Sequence, residues 1–273
     1  MSIEPSYGPR KLDLETPSAA RAYDYFLGGS HNFKADRQFA DQVRQLAPFV
    51  PNVTRLNRSF LWRAVEFMLD VGIRQFLDLG SGIPTVGNVH EIAQQRAPDA
   101  RVVYVDYEPV AYQHAQALLA DNPHATIIQA DIREPDTILH HPDTQTMLDF
   151  AQPLGLLMVG ILLFIRPEDH PADLIAHYRQ PLAPDSYLAI SHLTDEHAPP
   201  HLREQVATAI AAYRQANEYV YARTCDEITS WFHGMDLVEP GITYLPDWRP
   251  ADTSEANDPA RPLGYGAVAR QPH

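Results

Sequence analysis

The chain of 273 residues holds one cysteine, Cys225. That excludes an intrachain disulfide and suits a reducing compartment. Cations are scarce as well: 21 Lys and Arg face 35 Asp and Glu, a formal net charge of −14 at pH 7. A nucleic-acid backbone is bound by clustered cations, so no general nucleic-acid partner is expected. No stretch approaches the ~18 apolar residues of a membrane span, and the start MSIEPSYGPRKLDLE carries no apolar leader core. The expectation is a soluble, cytoplasmic protein that does not engage a membrane. Metal-binding spacing is also missing. His140 and His141 are adjacent and cannot share a helix face, while Pro199-Pro200 interrupt the helical spacing of His197 and His201. With no Cys/His cluster at zinc spacing, no metal is expected.

What is present is a chain with a core: 45% of its residues are hydrophobic. Its length allows one large domain, or one domain with an appendage. The order of elements turns on Gln75 to Asp106, QFLDLGSGIPTVGNVHEIAQQRAPDARVVYVD. Phe76-Leu77 open a short apolar run that ends in Asp78-Leu79-Gly80-Ser81-Gly82. A helical segment follows, and Val102 to Val105 form a second run that stops at Asp106. Strand, glycine turn, helix, strand, acid is the first half of a nucleotide-binding βαβ unit.

Before it, the pattern predicts irregular chain to residue 15, then three helices. Thr16-Pro17 read as the cap and first residue of a helix closed by Gly28-Gly29. A second helix is expected over Asp36 to Ala47, broken by Pro48 and Pro51, and a third from an Asn52 cap to Gly72. After Asp106, helices are expected over Pro109–Ala120, Pro167–Gln180, Leu202–Asn217 and Cys225–Phe232. Strands are expected over Ala125–Gln129, Leu154–Val159, Ser186–Leu193 and Gly264–Arg270. The alternation predicts an α/β fold with a mainly parallel sheet and an antiparallel edge. The leading helices, 1–72, read as a cap or lid within the same domain as a core spanning 73–273.

The turn Gly80-Ser81-Gly82-Ile83-Pro84-Thr85 lacks the third glycine of a dinucleotide fingerprint, and Pro84 removes a backbone donor. It is poorly made for a pyrophosphate. Asp78, Asp106 and Asp131 stand at three successive strand ends, on the edge where open α/β sheets bind ligands. Aspartates also start loops and cap helices, which explains one or two of them. An acidic edge repels phosphate but suits S-adenosylmethionine, whose ribose diol, adenine amine, ammonium and sulfonium all complement carboxylates. Asp106 is placed for the ribose hydroxyls.

The segments RAYDYFLGGSHNF (21–33), RLNRSFLWRAV (55–65), FLDLGSGIPTVGNVHE (76–91), VVYVDYEP (102–109), ADIREP (130–135) and DWRP (247–250) resemble a stand-alone S-adenosyl methyltransferase family first catalogued as a domain of unknown function. The resemblance runs along essentially the whole chain, and its YDYFLGG-x-HNF element is the most specific. It implies a Rossmann-like class I methyltransferase fold with a seven-stranded sheet and an N-terminal helical cap. It implies S-adenosyl-L-methionine as cofactor and S-adenosyl-L-homocysteine as product. Carried onto this chain, Gly80 and Gly82 would pass the methionine part, and Tyr107 would lie against adenine. Asp131 with Ile132 would hold the adenine edge, and Gly160-Ile161 would border the transferred methyl. Tyr23, Phe26, Asn32 and Arg58 would close over the carboxylate and sulfonium. Ordinary helix packing competes for Tyr23 and Phe26.

The subclass motifs are again informative by absence. Val159-Gly160-Ile161-Leu162-Leu163-Phe164 replaces the Asn/Asp-Pro-Pro-aromatic turn of adenine and glutamine amino-methylases. Cys225 follows Thr224 rather than proline, unlike a pyrimidine C5-methylase nucleophile. The expected acceptor is a small molecule, methylated by in-line displacement with neither metal nor covalent intermediate. No catalytic residue is assigned; His31 and His192 are candidate bases. Two alternatives stay open: a cofactor-binding sensor or interaction module, and an NAD-dependent oxidoreductase.

Overall fold

The computed structural model describes residues 13–84 and 87–273. The expectations for residues 1–12 and for Thr85 fall outside the described residues. Three helices come first: α1 (Ala19–Phe26), α2 (Lys34–Leu46) and α3 (Val50–Asp70). α1 starts later than Thr16-Pro17 suggested. The Ser18 N–H donates to Asp36 Oδ1 at 3.0 Å, and the Thr16 carbonyl accepts from the Arg21 guanidinium, so both are drawn out of helical register. Asp36 also fixes the start of α2, accepting the Phe33 N–H at 2.8 Å. Pro51 opens α3 rather than preceding it, because a first-turn residue needs no N–H partner. Asn52 therefore lies inside the helix, where its amide reaches Asp258.

The sheet elements follow in alternation: β1 (Gln75–Leu79), α4 (Val89–Arg96), β2 (Arg101–Asp106), α5 (Pro109–Leu118) and β3 (Ala125–Gln129). Two short helices, α6 (Pro135–Leu139) and α7 (Pro142–Met147), lead to β4 (Gly155–Val159). Next come α8 (Pro171–Arg179), β5 (Tyr187–Leu193), α9 (Pro200–Gln215) and α10 (Cys225–Ser230). The chain ends with β6 (Asp236–Leu237), β7 (Thr243–Tyr244) and β8 (Gly264–Arg270). Pro167 opens only a 3₁₀ turn; His170, at φ 49°, reverses the backbone before Pro171 begins α8.

Seven strands run in the order β3-β2-β1-β4-β5-β8-β6, and the two-residue β7 also pairs with β8. The first five are mutually parallel; β8 is antiparallel to β5. Strand order reverses between β1 and β4, the point where open α/β sheets form a ligand crevice. Successive side chains alternate between two apolar layers. Phe76, Leu157, Ala189 and Val268 join one, and Leu77, Leu156, Leu188 and Ala267 the other.

α3 covers the first layer, and two sheet glycines let it come close. A Cβ at Gly155 would lie 2.8 Å from the Met68 sulfur, and one at Gly266 2.7 Å from the Phe60 ring. The C-terminal stretch is tied to the same helix. Arg63 donates to the carbonyls of Trp248 (2.8 Å) and Leu245 (2.7 Å). α3 thus lies over β4, β5 and β8, with its N-terminal half lining the crevice.

Candidate active site

β1 delivers the chain into a turn that only glycine allows. Gly80 has φ +72°, and a Cβ there would stand 2.3 Å from Ile161 Cγ1. The turn's donors point inward. The N–H groups of Gly80 and Ser81 both reach the Val105 carbonyl (2.8 and 3.1 Å), and that of Gly82 reaches Asp106 Oδ2 at 2.7 Å. A pyrophosphate would find these three donors already committed. Asp106 takes a second backbone bond at Oδ1, from the Glu108 N–H at 2.8 Å.

Two carboxyls are sheltered here. Burial pushes Asp106 up to about 6, against the Glu108 and Gly82 N–H bonds that favour its ionised form. Burial pushes Asp78 up to about 7; Arg58 counters the rise and the Asp106 charge adds to it. Buried acids held near neutrality suit a ligand that brings its own hydroxyl donors and positive charge. Arg58 reaches across from α3 to the Gly87 carbonyl at 3.0 Å, bracing the far side of the turn.

The crevice continues as one cavity with an open mouth. Tyr23, Arg58, Asp78, Gly80, Gly82, Asp106, Tyr107, Gly160 and Ile161 all line it. Four candidates are engaged elsewhere. Phe26 belongs to the core between the leading helices. The Asn32 amide donates to Asp24 Oδ2 (2.8 Å) and the Gly29 carbonyl (2.9 Å), bracing the loop after α1. Asp131 holds Arg133 through backbone and guanidinium, and the Ile132 carbonyl accepts the Tyr178 hydroxyl at 2.7 Å.

The sequence reading passed over Asn57. It sits on α3 with Val50, Thr54 and Leu61, spaced 4, 3 and 4 apart, all lining the cavity. A lone amide on an otherwise largely apolar helical face was the available signal. Its Nδ2 donates to the Tyr23 hydroxyl at 3.0 Å, and its Oδ1 accepts from Ser191 Oγ. The Tyr23 hydroxyl in turn donates to the Thr54 carbonyl at 3.2 Å. Burial pushes the Tyr23 phenol up, away from ionisation.

His192 also lines the cavity, but neither nitrogen is open to a substrate proton. Nδ1 must donate to the Leu193 carbonyl (2.8 Å), and Nε2 must accept from Arg223 Nη1 (2.8 Å). Burial pushes this imidazole down to about 4. It is a structural histidine, not a base. His31 stacks on His114, with ring centroids 3.5 Å apart, away from the cavity lining. Among the described residues there is no cluster of three metal-ligating side chains and no helix long and apolar enough to cross a membrane.

Strand order, glycine turn, acid at the end of β2 and phosphate-averse donors together define a class I methyltransferase. Residues 5–272 match the family described as S-adenosyl methyltransferase. The chain belongs to that family, and its cofactor is S-adenosylmethionine. A solved DUF574 family protein from Streptomyces avermitilis MA-4680 is 38% identical with a TM-score of 0.90, covering 95% of this chain and 99% of its own. A candidate methyltransferase from Thermobifida fusca YX is 40% identical with a TM-score of 0.89, over 96% and 97%. Trans-aconitate 2-methyltransferase from Yersinia pseudotuberculosis serotype O:1b (strain IP 31758) is 29% identical over 64% of this chain. The chain spans 60% of that curated relative's length.

Proposed function

We propose that the protein transfers the methyl group of S-adenosylmethionine directly to a small molecule, leaving S-adenosylhomocysteine. The observation that carries this is the continuity of the cavity. It passes along the carboxyl edge of the sheet from Asp106 on β2, beneath Gly80 and Gly160, to Leu193 and Gly264 at the β5–β8 end. At ~4.8 Å per strand, β2 to β5 alone is about 14 Å. That span matches the cofactor alone, and the cavity continues past it against α9, at Val206, Ala209 and Ile210, where a second molecule would sit.

The residues fit the cofactor. Asp106 would accept the ribose hydroxyls, Tyr107 would flank adenine, and Asp78 and Arg58 would face the ammonium and carboxylate of the methionine part. Gly80 and Gly82 would let the backbone pass close to the methionine part, and Gly160 and Ile161 would border the transferred methyl. The bound group supplies a methyl on a sulfonium, so the acceptor's lone pair forms the new bond while the S–C pair returns to sulfur. The acceptor's proton stays hydrogen-bonded in the site during the displacement and passes to bulk water as the methylated product leaves. Neither a metal nor an enzyme-bound intermediate is needed for this displacement; alignment and exclusion of water are. Of the described residues, 13–72 would serve as the cap, contributing Arg58 to the site, and 73–273 as the core that holds the rest of the cofactor. The relative named for trans-aconitate supports a small-molecule acceptor as a class.

The test is transfer of label from methyl-tritiated S-adenosylmethionine into a cell extract split by size. Label in the fraction below ~1 kDa supports the reading. Tight binding with no label in any fraction would move the protein to the sensing role. An NAD-dependent reaction is disfavoured by the committed donors of Gly80, Ser81 and Gly82.

A further inference from the structure

The part of the cavity beyond Gly160 has a character of its own. Its walls come from Phe49 just before α3, α3 (Val53), β5 (Leu193) and α9 (Val206, Ala209, Ile210). None is charged. Arg58 is the one Lys or Arg among the described lining residues, and it sits at the opposite end, on the Gly87 carbonyl. An acceptor bearing several carboxylates would have to leave water without a cation to meet it, a heavy desolvation cost. The walls favour an uncharged body.

Two polar features interrupt them: the Tyr213 side chain on α9 and, at the border with the cofactor site, a hydrogen-bonded chain through Asn57. A Cβ on Gly160 would stand 2.7 Å from Asn57 Nδ2, so the carboxamide lies directly over that glycine. The protons of its chain all run one way. Ser191 Oγ donates to Asn57 Oδ1, Asn57 Nδ2 to the Tyr23 hydroxyl, and that hydroxyl to the Thr54 carbonyl. What the chain still offers is acceptor capacity on Ser191 Oγ and Tyr23 Oη, beside the second Asn57 N–H. An alcohol, phenol or amine donates its proton to such an oxygen and keeps a lone pair for the methyl. A nucleophile with no proton leaves the oxygens unanswered.

We infer, on the strength of the transfer reading above, that the acceptor is a mainly apolar molecule with a single O–H or N–H nucleophile. Its body fills the α3–α9 chamber, and Asn57, with Ser191 and Tyr23, fixes the nucleophile over Gly160.

Paired probes test this: 2-naphthol and naphthalene, titrated with and without saturating S-adenosylhomocysteine, with tricarballylate as the anionic control. 2-Naphthol is expected to bind roughly five- to tenfold more tightly than naphthalene, the worth of one sheltered hydrogen bond. Asn57→Leu should bring the two to parity; Ser191→Ala serves the same comparison if that variant does not fold. Ala209→Phe should fill the chamber and remove both probes. Equal affinity of the two probes for the native protein, binding untouched by Ala209→Phe, or tricarballylate binding in preference would each overturn the inference. The S-adenosylhomocysteine titrations read separately. Their failure removes the transfer reading, while the probe results still report on the chamber.

Discussion

Arg21 Nη1 donates to Glu108 Oε1 at 2.7 Å, joining residues 87 positions apart, and both side chains are buried. The same guanidinium grips Asp36 through Nε, at 3.0 and 2.9 Å from the two carboxylate oxygens. Glu108 in turn offers its N–H to Asp106 Oδ1 and its carboxylate to the first turn of α5 through Ala111. One buried arginine therefore couples α1 and α2 to the acid assigned to the ribose. The leading helices are keyed into the cofactor edge of the sheet.

Removing that key leaves two buried carboxylates without a counter-ion. Arg21→Met is expected to cost about 3–5 kcal/mol, and Arg21→Lys most of that, because an ammonium cannot reproduce the fork. Denaturant unfolding monitored by circular dichroism measures it. A loss below ~1 kcal/mol would show that the pair behaves as a solvated surface bridge.

Asp78 gives the unliganded protein a pH dependence of definite sign. Its carboxyl is held at about 7 in the fold against an ordinary value of 3.8. The native state therefore binds the extra proton, and this contribution to stability is present at low pH and fades as pH rises through about 7. Asp78→Asn, neutral throughout, is expected to match the native protein near pH 4. By pH 8 it should be the more stable of the two, by on the order of 2–4 kcal/mol. Melting curves of both proteins across that range decide it. A constant difference between them would remove the burial argument.

His192 is predicted to stay neutral across the physiological range. In ¹⁵N-edited NMR, its ring should show a protonated Nδ1 and a bare Nε2 from pH 8 down to about 5. Titration is expected only toward about 4, where burial places it. A midpoint near 6.5 would mean that the Arg223 contact at 2.8 Å does not persist in solution.

Much of this architecture was legible from the residues. Period and punctuation fixed β3 and β8 to the residue, and the run 102–106 located the acid at the end of β2. Local signals misled where a distant partner competes for the same atoms. Thr16-Pro17 has the chemistry of a helix start, but Arg21 and Asp36 take up the neighbouring backbone groups. Of the glycines and strand-end acids singled out by type and position, Gly80, Gly82, Gly160, Asp78 and Asp106 line one cavity. Asp131 has that same signature, and its bond to Arg133 is one that strand position alone does not reveal. Asn57 and Ser191 were hidden for a related reason. Their significance lies in a hydrogen bond spanning 134 positions, which no local pattern encodes.

Whether the acid at the end of β2 holds the cofactor's ribose is decided by calorimetric titration. S-adenosylmethionine, S-adenosylhomocysteine and NAD are titrated into the native protein and into Asp106→Asn, which keeps side-chain size but loses the charge. Binding of the first two ligands and not of NAD is expected, weakened by about 1–3 kcal/mol in a variant that circular dichroism shows to be folded. Its amide N–H now faces a backbone donor of Gly82 or Glu108, which lowers the melting temperature. Unaltered S-adenosylhomocysteine affinity in Asp106→Asn, or preferential binding of NAD, would contradict it.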